Sequence, residues 1–258
     1  TIRYYTDNFP SLNSLYGDDE MATDNATTRN SSNRYLIGEW KTPASGGEWN
    51  FNNIYTLNYF IQSTEKNLET GSIKGNSTNI KHYIGEGYFL RAYQYFYRLR
   101  KLGDFPIIKE VLPDNKEALV EASKRQPRNE VARFILQDLD KAIEYLTNNP
   151  DGGKARITKN AALVLKARVA LFEATWEKYH AGTALVPNGK GWPGAEKDYN
   201  KGYQFPSGSP EAEVNFFLDQ AINASQTVAD AVALTANNGS IQPVSYTHLR
   251  AHETSQDL

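Results

Sequence analysis

The sequence predicts an all-α protein built of antiparallel helix pairs that carry long irregular loops. Three observations predict it. Apolar residues recur at three- and four-residue spacings in five separate segments, start and stop signals bracket those segments, and two stretches, 1–48 and 180–210, break every period. Length and composition set the frame: 258 residues, 40% of them hydrophobic and 22% charged, are enough for one large domain or two small ones with a real core. The 28 Lys+Arg against 30 Asp+Glu leave a formal charge of −2, so the chain as a whole has no basic footprint for nucleic acid or an anionic membrane. Cysteine is absent from the sequence, which removes disulfides, thiolate metal sites, thiol nucleophiles and a lipidated cysteine from this chain. No apolar run approaches the roughly 20 residues of a membrane-spanning helix. The start, Thr1-Ile2-Arg3, is neither an initiator Met nor a signal peptide, and the chain reads as cut there.

Residues 1–48 are polar and broken by Gly17-Asp18-Asp19-Glu20, Asn30-Ser31-Ser32-Asn33 and Ser45-Gly46-Gly47, a loop region on a scaffold. The first helix is expected over 50–67, where Phe51, Ile54, Tyr55, Leu57, Tyr59 and Ile61 recur with helical spacing. Over 80–101 the apolar residues Tyr88, Phe89, Leu90, Tyr93, Tyr95, Phe96 and Leu99 cover most of the helical circumference, the mark of a buried central helix. Gly103-Asp104-Phe105-Pro106 stops it, and a short extended piece and a loop follow. Pro127 opens a third helix with Val131, Phe134, Ile135, Leu139, Ala142, Ile143 and Leu146 in one stripe and Glu130, Asp138, Asp140 and Lys141 facing away. Asn149-Pro150-Asp151-Gly152-Gly153 ends that helix. Thr158 is the expected N-cap of a fourth, in which Leu163, Leu165, Val169, Leu171 and Trp176 alternate with alanines that permit close helix approach. A loop of about 30 residues, long enough that function or disorder is the expected reason, leads to a fifth helix over 211–234 with Phe216, Phe217, Ala221, Ile222, Ala224 and Val228 inward.

One stretch is more specific than any period. Gly85-Glu86-Gly87-Tyr88-Phe89-Leu90-Arg91-Ala92-Tyr93 through Arg98-Leu99, followed by Leu102-Gly103-Asp104-Phe105-Pro106, resembles the SusD/RagB family of glycan-binding outer-membrane lipoproteins. Arg128-Asn129-Glu130-Val131 through Leu136-Gln137-Asp138-Leu139-Asp140 and Arg156-Ile157-Thr158-Lys159-Asn160-Ala161 into Lys166-Ala167-Arg168 follow in the family's order. Upstream, Asp24-Asn25 and Glu48-Trp49-Asn50-Phe51-Asn52-Asn53 with Asn58 also fit, so the resemblance spans roughly 15–235. It implies tetratricopeptide-like helix pairs with ligand loops, no catalysis, no cofactor, and a partner: a SusC-type TonB-dependent barrel that the binding protein covers as a lid. It also implies lipid anchoring at the outward face of the outer membrane and a longer C-terminal part. The chain is therefore expected to be a partial helical domain over 1–243.

Two loop clusters offer the aromatic faces and hydrogen-bonding edges that hold sugars: Arg34, Tyr35 and Trp40, and Trp192 with Tyr199, Tyr203 and Phe205. Each tryptophan either meets ligand or pins its loop to the helices. The Gly-Asp-Phe-Pro turn and Arg91, Arg98 and Arg168 read as structural, because a buried guanidinium needs fixed partners. Asp18, Asp19 and Glu20 read as solvated loop charges, lacking both the calcium-loop pattern and any assurance of catalytic separation. His248 and His252 are spaced like zinc ligands, yet Leu249 stands where the metalloprotease motif needs Glu, and no metal site is expected. Val244-Ser245-Tyr246-Thr247-His248-Leu249-Arg250-Ala251-His252-Glu253-Thr254-Ser255 resembles a translated adaptor sequence, so 244–258 is set aside as a non-native tail. The rival readings are an αα-hairpin scaffold that binds a peptide or protein partner in an open groove, and an α-helical glycosidase with facing carboxylates.

Overall fold

In the computed structural model the described residues are 49–233, so loop 1–48 and the tail 244–258 lie outside them. Contacts divide the chain between Asn50 and Phe51, and the fold described is that of the unit beginning at Phe51. Among the described residues there are six α-helices: α1 Asn52–Glu69, α2 Ser77–Leu102, α3 Lys116–Ala122, α4 Arg128–Tyr145, α5 Lys159–Tyr179 and α6 Pro210–Asp230. The β pairing among the described residues is one isolated antiparallel bridge, Phe105 with Gln126.

Local chemistry sets the helix ends. Asn76, Asn115, Thr158 and Ser209 each accept a backbone N–H three residues on, at 3.1, 2.9, 3.2 and 3.1 Å respectively, and so cap α2, α3, α5 and α6. Lacking such a side chain at Pro127, α4 is capped from a distance: the Arg128 N–H donates to Asp104 Oδ1 at 2.9 Å. Gly103 closes α2 at φ 68°, a backbone conformation that favours glycine, and its N–H donates to the Leu99 carbonyl.

Neighbouring helices pack in sequence: α1 on α2, α2 on α4, α4 on α5, and α5 on α6. Cross-contacts give their directions. Asn53, Asn58 and Glu65 of α1 meet Gln94, Arg91 and Tyr88 of α2, so residue numbers rise on one helix as they fall on the other. Between α2 and α4, a Cβ on Gly85 would lie 3.0 Å from Tyr145 Cβ, Arg91 binds Asp138, and the Tyr95 and Phe134 ring centroids are 4.8 Å apart. Arg128 and Asp140 of α4 reach Glu173 and Lys166 of α5. These three pairs are antiparallel, and the result is the tetratricopeptide-like stack expected from the sequence.

The buried faces are narrower than hydrophobicity alone suggests. In α1 the inward stripe is Ile54, Leu57, Asn58 and Ile61, while Tyr55 and Tyr59 are exposed. In α6, Phe217, Ala221 and Ala224 are buried, but Ile222 is exposed and Phe216 and Val228 are only half-buried. Leu171 of α5 is also exposed. The opposite correction applies to Asp138, expected to face away from the core: it is buried and holds Arg91 through both carboxylate oxygens at 2.8 Å. Arg91 also donates to Asn58 Oδ1 and the Lys109 carbonyl, each at 2.9 Å, tying three segments of chain to one guanidinium. Arg98 donates to the carbonyl and side chain of Gln94 on its own helix, whereas Arg168 is exposed. Helix α3 falls where a loop was expected. It buries no residue, so it leaves no apolar stripe in the sequence, and the Asn115 cap starts it.

Candidate binding site

Residues 180–210 cross the ends of α2, α4 and α5 as a chain of turns, with short 3-10 segments at Pro193–Glu196 and Asp198–Asn200. Trp192 anchors them. It is 3% exposed, and its indole N–H donates to Asp104 Oδ2 at 2.7 Å. Asp104 thus satisfies the α4 N-terminus with one oxygen and Trp192 with the other. Burial pushes its carboxyl up from the ordinary value, and these two N–H groups together with the Arg128 charge work against that rise.

Tyr203 is half-buried beside it, with ring centroids 6.0 Å apart. Its hydroxyl accepts from Asn129 Nδ2 at 2.7 Å and donates to Glu130 Oε1 at 3.1 Å. Burial raises the phenol's pKa, with the nearby Glu130 charge adding to the rise and the Asn129 bond opposing it. Phe205 packs edge-on against Tyr203 at 5.5 Å, and Asn188, at φ 61°, donates its amide to the Tyr203 carbonyl. Tyr199 differs from the others: the residue is 41% exposed, with Lys124 Nζ 5.8 Å from its ring centroid. The structure therefore gathers Trp192, Tyr199 and Tyr203 at one end of the helix stack. Arg34, Tyr35 and Trp40 lie outside the described residues, as do His248 and His252.

A cleft of about 630 Å³ opens between this loop and the helix ends, within the ordinary range for a small-molecule site. Aromatic surface comes from Trp176, Trp192 and Tyr199. The polar lining includes Arg100 and Lys101 from the last turn of α2, Arg125 and Arg128 at the start of α4, and Lys197 between the 3-10 segments. Arg128 is committed within the protein: it donates twice to Glu173 at 2.8 Å, and its guanidinium carbon lies 4.3 Å from the Trp176 ring centroid. Neither these cations nor Trp176 is marked as a site residue by the sequence. Arg100 and Lys101 stand in the last turn of α2, where cations complement the helix dipole, and nothing local ties them to a loop about 90 residues later. Among the described residues, no group of three or more His, Cys, Asp and Glu side chains could hold a metal ion.

Sequence comparison gives the lineage. The SusD-like family described as "Starch-binding associating with outer membrane" matches residues 6–171, well over half the chain. The chain belongs to the SusD-like family. A curated relative, SusD-like protein P2 of Formosa agariphila, is 30% identical over 118 residues, which is 46% of this chain and 23% of that protein. A crystal structure of a SusD-like protein from Bacteroides fragilis is 30% identical, with a TM-score of 0.39 over 49% of this chain and 24% of its own. A SusD-like carbohydrate binding protein from the same species is 23% identical, with a TM-score of 0.37 over 48% of this chain and 24% of its own. The chain spans about a quarter of the length of these relatives. Its matched region contains the motifs whose contacts build the stack: Arg91 with Asp138, and Gly103-Asp104 at the α4 N-terminus. Among the described residues no helix is long and apolar enough to cross a membrane.

Proposed function

We propose that this protein is a non-enzymatic, glycan-binding component of an outer-membrane nutrient import system. It captures an oligosaccharide and delivers it to a SusC-type TonB-dependent barrel, acting outside the cell from a lipid anchor. The observation that carries this reading is the match over residues 6–171 to a family described as starch-binding and associated with the outer membrane. The cleft beside Tyr199 supports it chemically. An exposed phenol ring offers a flat face to the C–H surface of a pyranose, and the polar groups around it can reach the hydroxyls.

Within this reading Tyr199 is the stacking platform and Trp192 and Tyr203 hold the loop that presents it. Arg34, Tyr35 and Trp40 form a second contact region. The test is retardation of the full chain in gels containing a panel of polysaccharides, followed by Tyr199→Ala and Trp40→Ala on any ligand found. Retardation by at least one polysaccharide, weakened by either substitution, is the expected result. No retardation by any member, together with capture of a peptide from a library, would replace this reading with that of an αα-hairpin scaffold. Co-purification with a SusC-like barrel from native membranes tests the delivery step separately.

A further inference from the structure

The cleft beside Tyr199 is basic in a chain whose formal charge is −2. Its lining contains the cations Arg100, Lys101, Arg125, Arg128 and Lys197 and one acid, Asp104. Neither Asp104 nor Arg128 alters the excess. Asp104 already accepts from Trp192 and from the α4 backbone, and the Arg128 charge is matched by Glu173 through two bonds. Arg100 and Lys197 are exposed, as is the Tyr199 ring that shares the cleft with them. Glu196 and Asp198 flank Lys197 in sequence but do not line the cleft, and Glu121 is engaged outside it by Lys124.

We infer that the cleft between the 180–210 loop and the ends of α2 and α4 binds an acidic sugar unit, one that carries a carboxylate or sulfate group. The inference rests on the glycan-binding reading above and narrows its substrate class. A neutral sugar needs an aromatic face and a balanced set of donors and acceptors. Here the exposed side chains of the lining are dominated by donors that carry charge, because Arg and Lys supply N–H groups and no acceptor. A cleft lined by one sign of charge focuses its field on a ligand of the opposite sign even when net charge is near zero. Tyr199 would stack on the ring face, while Arg100 and Lys197 take the anionic substituent. A guanidinium matches the planar carboxylate or the sulfate oxygens in pairs, and the ammonium serves as a point charge. The cleft volume suits one or two sugar units and excludes a nucleic-acid duplex.

The test titrates the full chain calorimetrically with three probes: an oligogalacturonate, a sulfated galactan oligosaccharide and a neutral maltooligosaccharide. Arg100→Glu and Lys197→Glu are compared with the unaltered protein, and thermal unfolding checks that both variants remain folded. The expected result is binding of at least one acidic probe that weakens with added salt and falls about ten- to hundredfold in each variant, the effect of losing one charge-assisted contact. Which acidic probe binds separates carboxylate from sulfate. Binding of the neutral probe alone would overturn the inference and leave the glycan reading standing. Binding of an acidic probe that both folded variants retain in full would overturn the placement in this cleft. No binding of any probe, with no retardation by any polysaccharide, would sink both.

Discussion

Trp192 donates its indole N–H to Asp104 across 88 residues of sequence, and the same carboxylate caps α4 through the Arg128 backbone N–H. One side chain thus fastens the 180–210 loop and starts a core helix. The role of the Gly103-Asp104 turn in a chain of this family is thereby explained by bonding, since Gly103 supplies the left-handed backbone that ends α2 and turns the chain toward α4.

Trp192→Phe should therefore destabilise the protein through Asp104 as much as through lost ring area. The substitution keeps an aromatic ring in the buried site but leaves Asp104 Oδ2 without its N–H donor, at a cost of about 1–3 kcal/mol. Equilibrium urea unfolding checks it, with the midpoint falling at unchanged slope. A further expected sign is increased proteolytic cutting within 180–210, because the loop loses its main fastening.

The buried pair Arg91 and Asp138 makes a sharper demand. Asp138→Asn leaves a guanidinium in the core without its matching charge, which should cost about 3–5 kcal/mol. Combining Arg91→Met with Asp138→Leu should recover part of that loss, because both charges then disappear together. Recovery should stop short of the parent, since Asn58 Oδ1 and the Lys109 carbonyl lose the donor they share. A double-mutant cycle by denaturant unfolding measures the coupling directly.

Gly87→Ala tests how tightly α1 lies on α2. A Cβ at Gly87 would sit 2.8 Å from two ring carbons of Phe60, well inside contact distance. The ring must move or the helices must part, so the substitution should destabilise by about 1–3 kcal/mol despite the better helix propensity of alanine. Thermal unfolding of Gly87→Ala beside Phe60→Leu/Gly87→Ala separates the two responses: a smaller side chain at 60 should restore most of the loss.

How much of this was legible in the sequence depends on how local the physics was. Helix positions followed from periods and from the Thr158 cap, whose partner lies three residues away. Asp138 reads as a surface charge, and nothing in the sequence singles out Glu173 or Glu213, because their partners, Arg91, Arg128 and Arg133, are 47, 45 and 80 residues distant. A polar residue on an apolar face shows itself as core only once its partner is in place. The loop aromatics Trp192, Tyr199 and Tyr203 could be grouped from sequence because they lie within one short segment. The cations opposite them could not, for they arrive on α2 and at the start of α4.

Glu177 gives the protein a pH dependence with a defined sign. It is buried on α5, and neither carboxylate oxygen has a hydrogen-bond partner. Burial pushes its carboxyl up to about 9, the charges of Glu173 and Glu213 push the same way, and Arg128 and Arg133 oppose them. Those two arginines are already engaged, Arg128 by Glu173 and Arg133 by Glu213 through bonds of 2.6 and 2.8 Å. Burial disfavours the charged form of Glu213 as well, but its bonds from Arg133, Ser207 and Asn129 outweigh that and lower its pKa. Three carboxylates thus share two guanidiniums, and the third stays protonated when folded. An unfolded Glu loses its proton near pH 4.3, about the ordinary value. Between that pH and about 9 the folded state binds the extra proton, so stability attributable to Glu177 falls as pH rises through this window and levels off above it. Glu177→Gln keeps the shape of the neutral acid and abolishes its titration. The variant should match the parent near pH 4 and exceed it by on the order of 4 kcal/mol at pH 7, with the gap still widening toward pH 9. Urea unfolding of both proteins across that range is the measurement, and a gap that does not change with pH would show that Glu177 is ionised in the folded protein.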